Sequence, residues 1–399
     1  MTPSYQRIPL LYVLHSSNLY GTERIALAIA AGLADEFAPT IFAPPGPVLR
    51  EAAQMGLGTV QFGSAKEIAL KLFPYFARNR QLAFVATGVV HSLACVMWST
   101  LWRRQVRHIH LVQGGAAERD SYGRKRRLNH LGVDFVACSR FVRERLVANG
   151  VRASRIRVIE NFLSTAQLDS VLKRAPFQSP GVRRLVVVSR LDPIKRVDLL
   201  FDAFDQEPAL NQLNVAVLGS GSEIDQLRAR AEATHPQISI EGFRPDVPRR
   251  LAASDLFVHL CPTEPFGLAI LEAMAAGVPA LVPNAGGAGD LVKDVVNGFR
   301  FNANDARSLA DRLLQLSQAP SELLNRVVEG GRHTLATRFS ATARLAEYRE
   351  LLQEKKSDEH RRFEYRNGNS RGLEAEAPSE ENRREEGFLD DDRRRPTSA

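Results

Sequence analysis

Two glutamates eight positions apart, Glu264 and Glu272, stand in the segment TEPFGLAILEAMAAGVP, where an apolar run of helical periodicity opens near Gly267 and closes on Gly-x-Pro. The β-rich run 255–260 precedes it, so the segment reads as strand, tight loop and helix entry. A helix entry presents unpaired amides and a positive dipole to an anion. Glu264 lies just before that entry, and Glu272 about one and a half turns inside it, where its carboxylate can reach a ribose diol. A second pair of charges, Arg190 and Lys195 in SRLDPIKR, also follows a β-rich run and leads into a helix. A guanidinium grips a diphosphate by its planar fork and an ammonium acts on it as a point charge, so together they can neutralise one. SRLDPIKR taken alone is also a plain exposed basic turn. Two glutamates on an amphipathic helix are commonplace too, but that bland reading does not explain why the helix entry, its carboxylates and the Gly-x-Pro exit occur together.

Such groups need a scaffold, and the chain is patterned to supply one. In the first 160 residues the runs IPLLYVL, PTIFAP, GTVQF, AFVATGVV, HIHLVQ, VDFVAC and IRVIEN alternate with helix-periodic stretches such as 22–37 and 140–149. Strands separated by helix-length segments imply right-handed crossovers and a parallel sheet covered on both faces. After prolines at 176 and 180 the pattern restarts with RRLVVVSRL, LNVAVLG, ISIEGF, DLFVHL, VPALVP and NGFRF. The expected fold class is therefore α/β, with two Rossmann-like doubly wound domains facing a cleft at the carboxyl ends of their strands. The expected divisions are 1–165, 180–335, a C-terminal helix in 336–354 and a tail over 355–399. The C-terminal helix carries Ala343, Leu345, Tyr348, Leu351 and Leu352, which suit packing on either domain.

Composition narrows the class. The 399 residues are 44% hydrophobic and 25% charged, the balance of a soluble globular protein and not of a wholly disordered or collagen-like chain. Three cysteines without a Cys-x-x-Cys pair form neither a disulfide framework nor a cysteine zinc site, which fits a reducing cytoplasmic compartment. The opening MTPSYQRIPLLYVL has too short an apolar stretch for a secretory leader. The uncharged span 81–102 imitates a membrane helix but is broken by Thr87, Gly88, His91 and Ser92, so it reads as a strand followed by a helix. His91 falls at the cleft end of that strand, with a structural or an acceptor-contact role. His108 and His110 share a strand face but have no third ligand nearby, and the Asp-x-Asp at 390–392 lies in the tail, so no metal site is expected.

The formal charge of +8 is uneven. The tail holds 11 basic and 12 acidic residues with little apolar material, and is expected to be disordered. Residues 103–160 hold 14 basic and five acidic residues, including the run Arg124, Lys125, Arg126, Arg127. These are either solvated helix faces or an attraction for an anionic acceptor or acidic membrane surface. Nucleic acid is the weaker partner, because no aromatic-interleaved basic motif accompanies the charge.

With these segments in view, the paired glutamates of EPFGLAILEAMAAGVP resemble the motif of the retaining GT-B glycosyltransferases of family 4, the glycosyl transferases group 1. RLDPIK resembles that family's diphosphate-binding arginine and lysine, SNLYGTERIALAIAAGLA its glycine loop and first helix, and GSGSEIDQLRARA its second glycine turn; the likeness spans about 8–353. It implies a nucleotide-diphosphate sugar donor held mainly by the second domain, an acceptor held mainly by the first, and transfer with retention. Arg190 and Lys195 would hold the diphosphate, Glu264 the sugar and Glu272 the ribose, with the amides of Phe266, Gly267 and Leu268 near the phosphate and Gly21 letting the first loop close. Arg190, Lys195 and Glu264 would be the catalytic set. No cofactor and no protein nucleophile are implied, and the cations with the helix terminus stand in for a metal. The acceptor, a glycan, a lipid-linked sugar or a small molecule, is not legible. Two positions depart from the family: Tyr20 replaces the first of two glycines, and Gln113 occupies a place often held by histidine. Glutamine can hydrogen-bond a sugar hydroxyl but not exchange a proton near neutral pH. An epimerase or sugar-phosphate synthase on the same fold, or a non-catalytic binding protein, are the alternatives, since fold alone does not fix function.

Overall fold

Seven strands of the first half form one all-parallel sheet: β1 (Ile8–Val13), β2 (Phe37–Ala43), β3 (Gly58–Gln61), β4 (Gln81–Ala86), β5 (Gln105–Val112), β6 (Asp134–Ala137) and β7 (Ile156–Val158), in the spatial order β3-β2-β1-β4-β5-β6-β7. The computed structural model describes residues 7–115 and 121–354. The expected disordered tail and the Asp-x-Asp at 390–392 lie outside them. In the second half β8 (Arg184–Val188), β9 (Asn214–Leu218), β10 (Ile238–Gly242), β11 (Leu256–Val258), β12 (Ala280–Pro283) and β13 (Phe299–Phe301) make a second parallel sheet, ordered β10-β9-β8-β11-β12-β13. The central strands read as continuous apolar runs because both faces are covered: Leu10, Leu11, Tyr12 and Val13 of β1 are wholly buried.

Strand order reverses between β1 and β4 in one sheet and between β8 and β11 in the other. Helices leave opposite faces at such switch points, opening a crevice beyond the strand ends. Each charged segment picked out by its spacing follows one of these strands: SRLDPIKR follows β8, and the Glu264 loop follows β11. The ends of the two sheets meet. Ser139, which caps the Arg140–Ala148 helix by accepting from the Val142 amide, also donates to the Pro265 carbonyl at 2.6 Å.

Three sequence expectations need correction. The helical stretch 22–37 is a helix only over Gly21–Gly32, because Phe37 pairs with Ile8 as the first residue of β2. AFVATGVV is not all strand: β4 ends at Ala86, and the following helix, Val89–Leu101, takes His91 into its first turn. The run Arg124–Arg127 is not uniformly outward. In the 3-10 turn Gly123–Leu128, Arg124, Arg126 and Arg127 are exposed, whereas Lys125 is only 8% exposed. A tight turn with three residues per revolution cannot keep four consecutive side chains on one side.

The C-terminal helix, Ala341–Gln353, packs on the first sheet's layer: Tyr348, Leu351 and Leu352 join the core of Leu10, Tyr12 and Ile29, and Arg107 Nε donates to the Leu351 carbonyl at 2.6 Å. Arg107 also meets Asp134 at 2.7 Å, so part of the basic excess is used in packing. Arg338, just after the Ser321–Thr337 helix, ties back to Glu160 behind β7.

Candidate active site

Lys195 and Glu264, 69 positions apart in sequence, form an ion pair of 2.5 Å at the β8–β11 switch point. Both side chains are largely buried. Burial alone would push the Glu264 carboxyl up, but Lys195, then His259 and Arg190, outweigh it and hold it below its ordinary value. Burial likewise lowers Lys195, and Glu264 overcomes it, so its ammonium is held above its ordinary value. His259, the residue after β11, stands 3.5 Å from the same carboxylate oxygen; burial pushes it down to about 4, so it is a neutral imidazole near pH 7. Cys261 Sγ reaches the Ile194 carbonyl at 3.1 Å and fastens the two loops together.

The helix Leu268–Ala276 starts directly after Gly267, whose φ of +102° is a conformation that side chains rarely adopt. A helix entry leaves its first amides without partners one turn back. The side chain of Phe266 is buried and meets Phe339 edge-on at 5.8 Å, leaving its backbone to the site. The Glu264–Pro265 peptide is braced from behind by Gly287, whose amide donates to the Glu264 carbonyl at 2.7 Å; a Cβ there would lie 2.1 Å from the Pro265 carbonyl oxygen. Arg190, by contrast, is more than half exposed and pairs with Asp192 at 2.8 Å. The glycine turn after β9 lies against this loop, with the Leu191 amide bonded to the Ser220 carbonyl at 3.0 Å. Glu272 faces Arg24 of the first helix at 3.6 Å, and burial raises its carboxyl above the ordinary value despite that arginine.

Across the cleft, Gly21 sits against Leu268 and Gly114 against Pro265. Tyr20, in the place of a glycine, is exposed, and its amide donates to Glu23 at 3.2 Å. The loop therefore approaches the Leu268 helix entry with tyrosine in that position. Gln113 exchanges two amide hydrogen bonds with Asn161, at 3.0 and 2.7 Å. His91 is buried against Phe62, with ring centroids 5.4 Å apart, and burial lowers it to about 4. His108 and His110 do share a face, and both bond the Ser92 hydroxyl, at 3.1 and 2.9 Å. Among the described residues no group of three metal-ligating side chains assembles.

Thus Lys195, Glu264, Phe266, Gly267 and Leu268 converge, Arg190 and Glu272 flank them, and Gly21 and Gln113 face them, while His91 lies beneath the surface. Sequence reasoning missed His259, although it stands only two positions before the CPTEP loop. It also missed His15, Thr87 and Glu23. His15 and Thr87 meet at 2.8 Å across the β1–β4 switch point, a contact between residues 72 positions apart that no local pattern announces.

Two Rossmann-like sheets whose switch points face one another across a cleft are the GT-B architecture. Residues 19–167 match the family model described as Glycosyltransferase Family 4, and 172–334 that described as Glycosyl transferases group 1. The chain belongs to this family of GT-B glycosyltransferases. It is 31% identical over 203 residues to the lipopolysaccharide core biosynthesis glycosyltransferase LpsE of Rhizobium meliloti, covering 50% of this chain and 58% of that one. It is 27% identical over 179 residues to N-acetyl-alpha-D-glucosaminyl L-malate synthase of Bacillus anthracis, covering 44% and 47%. The chain thus spans about half the length of these curated relatives. Among solved structures it resembles Anabaena HepE in complex with UDP, with a TM-score of 0.73 at 20% identity over 86% of this chain and 99% of that one, a likeness of fold.

Proposed function

We propose that the protein is a retaining glycosyltransferase that moves a hexosyl group from a nucleotide-diphosphate sugar to an acceptor in cell-envelope polysaccharide or glycolipid synthesis. The observation that carries this reading is the buried Lys195–Glu264 pair beside a helix entry, with Arg190 free to swing from Asp192 towards a diphosphate. Relatives include a lipopolysaccharide core glycosyltransferase and a galactosyltransferase acting on a diphosphoundecaprenol-linked sugar, and the Anabaena neighbour was also solved with UDP-glucose. As the C1–O bond breaks, its electron pair leaves with the diphosphate, and positive charge spreads over the sugar ring. Lys195, Arg190 and the amides of Phe266, Gly267 and Leu268 stabilise the departing oxygen where that charge develops. Glu264 holds the sugar. The acceptor hydroxyl bonds to C1 from the leaving-group face and passes its proton to the departing phosphate, which preserves configuration without a protein nucleophile.

Glu272 is proposed to accept from the ribose hydroxyls, each charge-assisted bond contributing about 1.5–3 kcal/mol. Replacing it with alanine should weaken UDP binding by roughly ten- to a hundredfold in calorimetric titration. Unchanged affinity in a folded variant removes it from the site. With a panel of donors and envelope extracts, nucleoside diphosphate should be released in step with acceptor consumption. Donor isomerised without release would favour the epimerase alternative instead.

The reading extends to an anionic membrane face, although among the described residues no helix is long and apolar enough to cross a membrane. The helices Ala65–Arg78 and Val89–Leu101 expose Leu70, Phe73, Met97 and Leu101, with Trp102 just beyond, and Phe73 stacks near Trp98 and Trp102 at 5.3 and 5.7 Å. The second of these helices packs against the turn bearing Arg124, Arg126 and Arg127. An apolar patch next to exposed arginines suits the interface of acidic lipids. Flotation with acidic vesicles should be strong at low salt and fall several-fold when Leu101 and Trp102 become serine; protein left at the bottom of the low-salt gradient overturns this.

A further inference from the structure

One buried cation is unaccounted for by the donor chemistry. Lys125 is 8% exposed, and its Nζ donates to the Ser121 carbonyl while lying 5.9 Å from the centre of the Tyr122 ring. Among the described residues no carboxylate pairs with it. Glu23, which like Lys125 acts on His15, is engaged with the Tyr20 amide. Burial lowers the Lys125 ammonium to about 8, so most of it is still charged at neutral pH. A buried charge left without a partner is destabilising, by far more than an exposed one.

Lys125 lines a cavity of about 240 Å³ together with His15, Thr22, Thr87, Gln113 and Gly114. At about 30 Å³ per water, that volume holds about eight waters, room for a carboxylate or phosphate group. The cavity sits at the β1–β4 switch point; its wall at Gly114 adjoins Pro265, and Gly21, the neighbour of its wall residue Thr22, sits against Leu268, so it borders the entry to the donor site. Its wall supplies the Thr22 hydroxyl, whereas the Thr87 hydroxyl is already bonded to His15 and the Gln113 amide to Asn161 on both its polar atoms. Among the described residues no carboxylate is on that wall.

We propose that this cavity binds an anionic group of the acceptor, a carboxylate or a phosphate, with Lys125 as its counter-ion and the Thr22 hydroxyl as a hydrogen-bond donor. The proposal rests on the glycosyltransferase reading, since it makes the cavity the acceptor subsite facing the donor. It makes Lys125 a specificity determinant: neutral acceptors would leave the ammonium uncompensated, and anionic ones would be preferred.

The test titrates malonate and, separately, inorganic phosphate into the full chain at constant ionic strength. UDP is present at saturation so that Arg190 and Lys195 are occupied. The wild type should bind at least one of the two anions, and Lys125→Met should bind it at least tenfold more weakly, with Lys125→Arg intermediate and UDP affinity within twofold of wild type. Malonate preferred points to a carboxylate acceptor and phosphate preferred to a phosphorylated one. Equal anion binding by wild type and Lys125→Met, or none by either, overturns the proposal. Should Lys125→Met not fold, acylation of Lys125 in the wild type, followed by mass spectrometry, gives the same answer: the anion should slow it at least fivefold, and no protection overturns the proposal. Failure of UDP to bind would instead count against the donor reading, and the anion titration without UDP would still compare wild type with Lys125→Met.

Discussion

Replacing Lys195 with methionine is expected to lower turnover by about 10²- to 10³-fold while leaving the protein folded, the loss typical when one preorganised group facing a developing charge is removed. The ammonium is held in place by a 2.5 Å contact with Glu264, so it is aligned before the donor arrives and needs little reorganisation when the diphosphate departs. Its loss acts twice. The departing oxygen loses a cation, and Glu264, deprived of the charge that holds its carboxyl low, rises in pKa as burial prevails. Arg190→Met should do less, because Arg190 is more than half exposed and its charge is screened by solvent. Steady-state kinetics beside a thermal melt read both effects. Near-normal turnover in a folded Lys195→Met protein would remove the diphosphate assignment.

The largest effect on stability is expected at Asp255, which precedes β11 at the end of the sheet away from the cleft. Its carboxylate receives Arg174 at 2.9 Å, Arg184 at 3.0 Å, and the amides of Arg183 and Arg184 at 3.1 and 2.9 Å. Arg174 is itself buried against the Phe177 ring, 3.5 Å from its centre. Asp255→Ala would leave that guanidinium without its counter-ion, a change that costs about 3–5 kcal/mol. Burial raises the Asp255 carboxyl, but Arg184 and Arg174 together with the backbone amides bring it down to about 2. A depressed acid contributes its stability above the unfolded value near 4 and loses it as pH falls through the folded value, here between about pH 4 and pH 2. The contribution at neutral pH is on the order of 2 kcal/mol. Urea midpoints at pH 7 and pH 3 would show it: the wild type should lose stability over that interval, and the alanine variant should lose less. An alanine variant within 1 kcal/mol of wild type at pH 7 would contradict the role of Asp255 as the anchor of these loops.

The alternation of apolar runs with helical periodicity determined two parallel sheets, because a strand covered on both faces must be apolar throughout and only crossover helices can cover it. The spacing within RLDPIK and EPFGLAILE placed charges at strand ends and at a helix entry, since those geometries are local. Legibility failed at boundaries and at contacts across long separations. AFVATGVV reads as one strand because valine suits strands, yet β4 stops at Ala86, where the sheet ends and the next helix begins. Four consecutive basic residues look like one surface feature, and only the tight turn of 123–128 sends Lys125 inward while its neighbours face water.

The chain's own pattern therefore determined its fold class and the charged groups at the strand ends and helix entry, both set by periodicity and by residues within one loop or helix. Tertiary structure alone decided that Lys195 meets Glu264, that His15 meets Thr87, that Gln113 is latched to Asn161, and that the C-terminal helix returns to the first sheet. Each of these joins segments separated by tens to hundreds of residues. Such pairings arise from the order in which strands assemble and from the closing of one sheet's ends on the other's, and no window of the sequence contains both partners.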